Sequence, residues 1–528
     1  MPNSINIENA HLLPGLFKER ADVNRAYLME LTTENLLQNF YLEAGVRTDR
    51  DVTEMHLGWE SPTCQLRGHF LGHWLSAAAA LVAQNNDREL KAKLECVIDG
   101  LERCQKLNGG RWIGSVPEKY FEKLEKNEYV WSPQYTLHKT LLGLWHSALY
   151  AKSEKALALL SNAADWYIDW TADMARKNPH AVYSGEEGGM LEVWAGLYEL
   201  TRDERYLTLA ERYSRPSIFT KLENGGDPLS NCHANASVPW AHGAAKMYEI
   251  TGEERWLGLV KRFWKCAAAD REAFCTGGQN SGEFWIPPHK LGAFMGERTQ
   301  EFCTVYNMVR LADYLFRFTG ESAYLDYIEK NLYNGFLAQQ NKYTGMPAYF
   351  LPMKAGGVKK WGSKTRDFLL GYHRLKREGE KYGIRVYAGA ELRFDGSPND
   401  YLLYGFHDEL LADPERVMSE GLEAFAPKYR ADGALLIQAH PFRNKCTPAP
   451  AELLDGVEVL NLNPRHDSRN DLALAYAEEH HLLMTAGSDC HRPGDEGTTG
   501  ILAETLPEDS FGYADLIRSG KYTLIRPE

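Results

Sequence analysis

The 528-residue chain carries a formal net charge of -13 and a pI of about 5.8, and 44% of its residues are hydrophobic. That length exceeds one hydrophobic core and implies two to four domains. The acidic balance leaves no basic stripe to neutralise phosphates, so no nucleic-acid partner is expected. The N-terminus has no basic start followed by an apolar run, and no apolar run is long enough to span a bilayer. Nine cysteines without a C-x-x-C pair fit reduced thiols. A cytoplasmic location and no membrane partner are therefore expected.

The first two thirds read as helical, with a degenerate repeat. The segments L-Y-E-L-T-R-D-E-R-Y-L from Leu197, M-Y-E-I-T-G-E-E-R-W-L from Met247 and Y-L-F-R-F-T-G-E-S-A-Y-L from Tyr314 share one plan. Each ends one apolar-periodic helix, turns at Thr-Gly or Thr-Arg, and opens the next helix on acids, where a first turn favours negative charge. The pattern predicts eleven helices, near 21–42, 68–84, 88–106, 135–150, 153–176, 189–201, 203–215, 235–251, 253–270, 303–319 and 321–338. Repeated helical hairpins predict a solenoid or a closed α/α toroid. Six hairpins would close a toroid, and with an odd count the last partner is missing or comes from later in the chain.

The loops before alternate helices hold the polar motifs: W-S-P-Q-Y-T-L-H-K around His138, G-E-E-G-G-M-L-E around Glu187, N-C-H-A-N-A around His233, and a Gly-rich loop with Glu283. Loops at one end of a rigid scaffold are where sites are built. His69 and His73, four apart in an apolar helix, read as packed or hydrogen-bonded core residues. Glu301 and Cys303 open the helix near 303–319. They read either as half of a zinc site or as an acid complementing the helix dipole beside a buried cysteine.

The set G-H-F-L-G-H-W-L-S-A, S-P-Q-Y-T-L-H-K, E-E-G-G-M, C-H-A-N, T-G-G-Q-N-S-G-E, E-F-C-T-V-Y-N-M, L-Y-N-G-F-L-A-Q-Q and Y-F-L-P-M resembles the β-L-arabinofuranosidase family of glycoside hydrolases, in order, over about residues 6–366. The resemblance implies an (α/α)6 barrel, a zinc-thiolate site and a retaining mechanism. It implies Glu283 as general acid/base, Glu301 and Cys303 as two zinc ligands, and His138, His233 and Tyr349 as sugar contacts. The substrate implied is a plant-derived arabinofuranoside, in an arabinose-containing oligosaccharide or glycoconjugate. Glycoside cleavage needs such an acid together with a group that attacks or directs water.

In that family a Cys-Cys pair follows the Y-F-L-P-M strand, supplies the nucleophile and two zinc ligands, and opens the closing helix. Here Leu369 and Leu370 follow Phe368, and no cysteine appears before Cys446. The expectation is a toroid lacking its usual last helix, an incomplete zinc site and impaired hydrolysis. Leu369 to Tyr382 is amphipathic enough to stand in as a helix without supplying a thiolate.

From about residue 369 the pattern changes to short apolar strands, I-R-V-Y-A-G-A-E, Y-L-L-Y-G-F, A-L-L-I-Q-A-H-P, G-V-E-V-L-N and H-L-L-M-T-A-G-S-D-C-H. Helices are expected near 413–429, 468–481 and 510–519. This alternation predicts an incomplete parallel α/β unit or part of a barrel, with an open apolar edge that favours self-association as a homo-oligomer. Glu391, His440, Asp489 and His491 fall just past strand ends, and His with carboxylates there suits a divalent metal. The residues G-A-E, A-H-P-F and A-G-S-D-C-H-R-P-G resemble the PHP family of metal-dependent phosphoesterases. That resemblance implies those four residues as ligands of a multinuclear centre, incomplete because the family's opening His-x-His strand is absent. The expected domains are 1–366, barrel-like, and 369–528, a partial PHP-like α/β domain. The expected function is arabinofuranosidase-type hydrolysis. The alternatives are a metal-dependent phosphoesterase and a catalytically inactive sugar-binding barrel.

Overall fold

The computed structural model describes residues 9–47, 55–342, 345–357, 359–360, 370–411, 414–491, 495 and 497–525. They fall into two units, Met1–Arg366 and Asp367–Glu528.

In the first unit five hairpins follow one another: His69–Asn85 with Arg88–Leu107, Pro133–Leu149 with Glu154–Lys177, Met190–Thr201 with Glu204–Arg212, Ala234–Thr251 with Glu254–Trp264, and Phe302–Thr319 with Ser322–Asn331. The first helix of each pair packs on the first helix of the next, forming an inner ring. A helix that is apolar all round has to be buried; Pro133 to Ser147 are buried at every position. The second helices are amphipathic and lie outside, as Arg88–Leu107 does with Leu90, Leu94, Val97, Ile98 and Leu101 turned inward. Within this unit the described residues supply five inner helices, one short of a six-membered ring. The stretch proposed from sequence as a stand-in is helical over Leu370–Lys381 and belongs to the second unit, and Leu369 lies outside the described residues.

Two inner helices meet backbone to backbone at Gly72 and Gly143. A Cβ on Gly72 would sit 1.9 Å from the Lys139 carbonyl oxygen, and one on Gly143 would sit 2.6 Å from that of Gly72. The Thr-turn repeat has a common construction. Thr201, Thr251 and Thr319 each donate from Oγ1 to the carbonyl four residues back, and each accepts the amide of the acid two residues on, Asp203, Glu253 or Glu321. Between them Arg202, Gly252 and Gly320 adopt left-handed backbone that ends the helix.

The helix expected near 21–42 is two helices, Leu16–Glu30 and Thr33–Glu43. Leu31 is extended, and Thr32 caps the second helix by accepting the Asn35 amide. The helix expected at 253–270 ends in a π-helical turn, Lys265–Ala269, and the one expected at 321–338 passes through a π-helical turn, Leu332–Phe336, into Leu337–Gln339.

The second unit is built on a five-stranded sheet: β3 (Gly389–Leu392), β4 (Tyr401–Tyr404), β5 (Leu435–Gln438), β6 (Gly456–Asn461) and β7 (Leu483–Gly487), paired in that order. The sheet is mixed, which corrects the parallel expectation. β3, β4 and β5 run antiparallel, and β5, β6 and β7 parallel. The link between β3 and β4 is too short for a crossover and forms a hairpin. Leu436 faces Phe425, Tyr429 and Val457, whereas Leu435 and Ile437 face Ala514 and Ile517 on the opposite side. Helices thus cover both faces. Among the described residues the sheet is open, with β3 and β7 at its edges. A further pair, β8 (Gly500–Ala503) with β9 (Tyr522–Ile525), follows, where sequence patterning indicated no strand.

Candidate functional site

In the first unit the site is built on a two-stranded hairpin, β1 (Asn280–Ser281) and β2 (Phe284–Trp285). Its turn is Gly282-Glu283, and Gly282 supplies the left-handed backbone (φ 60°). The Glu283 carbonyl accepts the Ala234 amide at 2.7 Å, and Trp285 donates to the Cys232 carbonyl at 3.1 Å. Trp285, buried, anchors the hairpin by donating from Nε1 to Ser237 Oγ at 2.7 Å. Glu283 therefore stands beside the start of Ala234–Thr251. His233 caps that helix by accepting the Ala236 amide at Nδ1, and its Nε2 lies 3.8 Å from Glu283 Oε2.

Glu301 occupies the cap position of Phe302–Thr319 and is fully buried. Asn280 Oδ1 accepts its amide at 3.2 Å, and its Oε2 accepts Thr304 Oγ1 at 2.8 Å. Tyr349 reaches both acids: its hydroxyl is 2.9 Å from Glu283 Oε1 and 2.9 Å from Glu301 Oε1. Burial pushes the Glu301 carboxyl up, with Glu283 adding to the shift while His233, Thr304 and Tyr349 oppose it. Burial, then Cys303 and the two acids, holds the Tyr349 hydroxyl protonated far above the ordinary tyrosine range. One phenolic proton serves one acceptor, so the second 2.9 Å contact needs a proton on one of the two carboxyls.

The structure thus brings His233, Glu283, Glu301 and Tyr349 into direct contact, with Cys303 in electrostatic reach of Tyr349. It does not bring His138 to them. His138 lies in the second turn of Pro133–Leu149, buried under Gly189, where a Cβ would fall 2.0 Å from its ring. Its Nε2 is buried without a hydrogen-bond partner among the described residues, and burial pulls its pKa well below the ordinary value, so the ring is neutral. Glu187, in the same Gly-rich loop, accepts Arg215 at 3.0 Å and Trp240 at 3.3 Å. His69 and His73 pack edge to face at 5.8 Å, with the His69 Nδ1 2.7 Å from the buried Glu60.

Zinc fits these residues poorly. Among the described residues no group of three possible ligands includes Glu301 or Cys303. Three or four protein ligands are the norm for zinc. Cys232 donates to the Pro228 carbonyl, and Cys275 is exposed.

In the second unit Glu391, His440, Asp489 and His491 line one cavity of about 520 Å³, with Asp400, Arg393, Arg443 and Arg465. Ligand atoms of Glu391, Asp400 and His440 lie within 4.8 Å of one another. Asp489 and His491 stand apart from that triad: Arg443 donates to Asp489 at 2.6 Å, and His491 Nδ1 lies 3.2 Å from the same carboxylate. Asp400 is held by both arms of Arg393 at 2.6 Å. Sequence reasoning missed Asp400 and Glu458. Glu458 lies in the fully buried strand β6, accepts the His440 amide at 3.1 Å, and is pushed up to about 7 by burial. A lone acid inside an otherwise apolar strand was the signal for Glu458. Asp400, before an apolar strand, carried none.

Residues 467–507 match the family described as PHP-associated. No curated protein matches the sequence. Among solved structures, a GH127 β-L-arabinofuranosidase from Geobacillus stearothermophilus T6 is 16% identical, with TM-score 0.50, over 75% of this chain and 70% of that one. A second GH127 β-arabinofuranosidase is 16% identical with TM-score 0.48, over 72% of this chain and 64% of that one. A structure described as a glycoside hydrolase is 16% identical with TM-score 0.45, over 75% and 65%. The chain thus spans about two thirds of the length of these relatives. The first of them shares the α/α toroid. Residues 9–375, more than half of the sequence, match the family described as β-L-arabinofuranosidase, GH127 catalytic domain, and the chain belongs to that family.

Proposed function

We propose that the first unit hydrolyses arabinofuranosides of plant-derived glycans, slowly, with Glu283 as the proton donor. The observation that carries this reading is the Glu283–Tyr349–Glu301 chain, with 2.9 Å on each side of one hydroxyl. A glycosidic oxygen must be protonated as it leaves. Glu283 sits on a turn beside His233, and the proton it donates is supplied by the buried Glu301 carboxyl: Glu301 gives its proton to the Tyr349 hydroxyl as that hydroxyl passes its own to Glu283. Cys303 and Glu301 offer two ligands, too few for zinc, and no Cys pair follows Tyr349, so no step is routed through a zinc thiolate. Water is then the attacking group, and turnover falls far below that of a chain with the complete thiolate site.

An aryl β-L-arabinofuranoside assay of the full chain tests this. Slow hydrolysis that drops roughly a hundredfold or more in Glu283→Gln is expected, the ordinary worth of a general acid. Brisk turnover indifferent to Glu283→Gln would refute it. Glycan binding with no turnover in either protein would leave the inactive sugar-binding barrel in its place.

A second reading rests on the triad Glu391, Asp400 and His440. These residues fit one divalent cation, which would supply Lewis-acid chemistry at a phosphoryl oxygen. Arg393, Arg443 and Arg465 line the same cavity paired with Asp400, Asp489 and Asp495, and a cation on Asp400 would release Arg393 toward a phosphate. Phosphomonoester hydrolysis stimulated by added manganese, and lost in His440→Ala, is the expected result. No metal-stimulated turnover removes this reading.

A further inference from the structure

We infer that a second cavity in the first unit, about 530 Å³ at the Tyr129–Trp131 loop, is a carbohydrate subsite for a sugar unit remote from the bond that is cut. The inference rests on the glycosidase reading above.

The cavity is lined by Asn127, Glu128, Tyr129, Trp131, His180 and Glu186, among others. Two of these are large aromatics left in solvent. Tyr129 is 84% exposed and Trp131 38%. An exposed indole and phenol beside hydrogen-bonding groups suit a ligand with one C–H-rich face and a polar rim, which is the build of a sugar ring. The carboxylates of Glu128 and Glu186 form no ion pair among the described residues, and no lysine or arginine lines the cavity. They are acceptors for hydroxyl groups and repel anionic ligands. A neutral glycan fits, and a phosphate or uronate does not.

The walls are fixed before any ligand arrives. Asn127, Ser132 and Glu186 hold left-handed backbone, with φ of 55°, 45° and 61°, a conformation that non-glycine residues keep only where their surroundings impose it. The Tyr135 amide donates to the Gly185 carbonyl at 3.1 Å, and Asn178 Nδ2 donates to Asn127 Oδ1 at 3.0 Å. The cavity is also joined to the proposed catalytic cluster. The Trp131 amide donates to Gln65 Oε1 at 2.7 Å. Gln65 belongs to the loop that carries Trp59, whose ring stands edge-on to Tyr349 at 5.7 Å. One loop therefore joins the aromatic platform to the hydroxyl that touches Glu283 and Glu301.

Calorimetric titration of the full chain with methyl β-L-arabinofuranoside and with a β-linked L-arabinofuranosyl trisaccharide tests this. Trp131→Ala and Tyr129→Ala should each weaken the trisaccharide about tenfold, the scale of one lost stacking partner. Both should leave the methyl glycoside within about twofold. Tyr129 is exposed enough that its variant keeps the fold, confirmed by an unchanged melting temperature. Equal trisaccharide affinity in wild type and both variants overturns the subsite while leaving the glycosidase reading standing. No binding of either sugar to the wild type overturns both.

Discussion

Glu283 and Glu301 are joined through a single hydroxyl, that of Tyr349, 2.9 Å from an oxygen of each. Both contacts are satisfied when the two carboxyls hold one proton between them, and the fully buried Glu301 is the one that burial pushes toward the protonated form. Tyr349→Phe removes the bridge and leaves the Glu301 carboxyl with one fewer hydrogen-bond partner in the interior. A loss of about 1–3 kcal/mol is expected in urea unfolding of the full chain, the range for an orphaned buried polar group. Unchanged stability would mean that the two acids do not depend on this hydroxyl.

The zinc prediction follows from ligand count. Glu301 is occupied by Thr304 and Tyr349, and Cys303 brings the protein ligands to two. Elemental analysis of the full chain carrying His440→Ala, which removes the cation triad of the second unit, should give well below one zinc per chain after purification with zinc present and desalting. Chelator treatment should leave the arabinofuranoside rate unchanged. Stoichiometric zinc, lost together with activity on chelation and retained in His440→Ala, would show that another residue completes the site.

The inner ring gives a sharper packing test. A methyl group at Gly72 meets the Lys139 carbonyl oxygen at 1.9 Å, which is backbone and cannot swing aside. Gly72→Ala should cost about 3 kcal/mol or prevent folding. Gly258→Ala is the control. That glycine is also helical, but its nearest neighbour is the end of Arg262 at 3.4 Å, so helix propensity favours alanine by about 0.5–1 kcal/mol. Opposite shifts in thermal midpoint are expected. Equal shifts would contradict the close approach of the two helices.

Much of this architecture was legible in the sequence because the helical period and the Thr-Gly turns repeat. The hairpins near Thr201, Thr251 and Thr319 use one local hydrogen-bond pattern, so sequence and structure agree there. The break at Leu31 was hidden because Thr32 caps from within a continuous apolar pattern. The sheet direction was hidden because strand patterning reports burial, not orientation; only the short link between β3 and β4 hints at a hairpin. At the site, His233, Glu283, Glu301 and Tyr349 come together from segments that motif reading had singled out. His138 looked similar in sequence but turns into the interior under Gly189. Asp400 gave no signal, because its relation to Glu391 and His440 exists only in the folded sheet.

Acid should weaken the first unit through two buried histidines. Burial lowers His242 to about 4 and His146 to about 3, from an ordinary value of 6.5. Arg310 and Lys139 reinforce the depression at both rings, and Lys246 does so at His146. Glu192, which accepts Arg310 at 2.5 Å, opposes it. The unfolded chain therefore takes up protons first as pH falls. The stability is fully present above pH 6.5 and is lost as pH drops toward 4 and then 3, by several kcal/mol in order of magnitude. Unfolding free energies of the full chain from pH 7 to 4 should show this slope, and His146→Gln should flatten it. An unchanged slope would mean that His146 is not neutral in the fold.

The second unit should respond in the opposite sense through Glu458. Its folded pKa is raised by burial to about 7 from 4.5, against the opposing hydrogen bonds from Asn461 and the His440 amide. Between those values the folded state keeps a proton that the unfolded chain has released. Stability is then greatest below about pH 4.5, falls as pH rises toward 7, and levels off above it, a change of roughly 3 kcal/mol. His440, lowered by burial and by Arg443, pulls the other way in acid, so the decline should be clearest between pH 6 and 7. Glu458→Gln keeps an oxygen acceptor for the His440 amide and removes the titration. In chelator, to exclude bound cations, this variant should be more stable than the wild type above pH 7 and show a flatter profile between pH 5 and 7. Parallel profiles for the two proteins would mean that Glu458 ionises in the fold as it does in water. The buried carboxyl beneath the Glu391–Asp400–His440 triad would then carry a full negative charge at neutral pH.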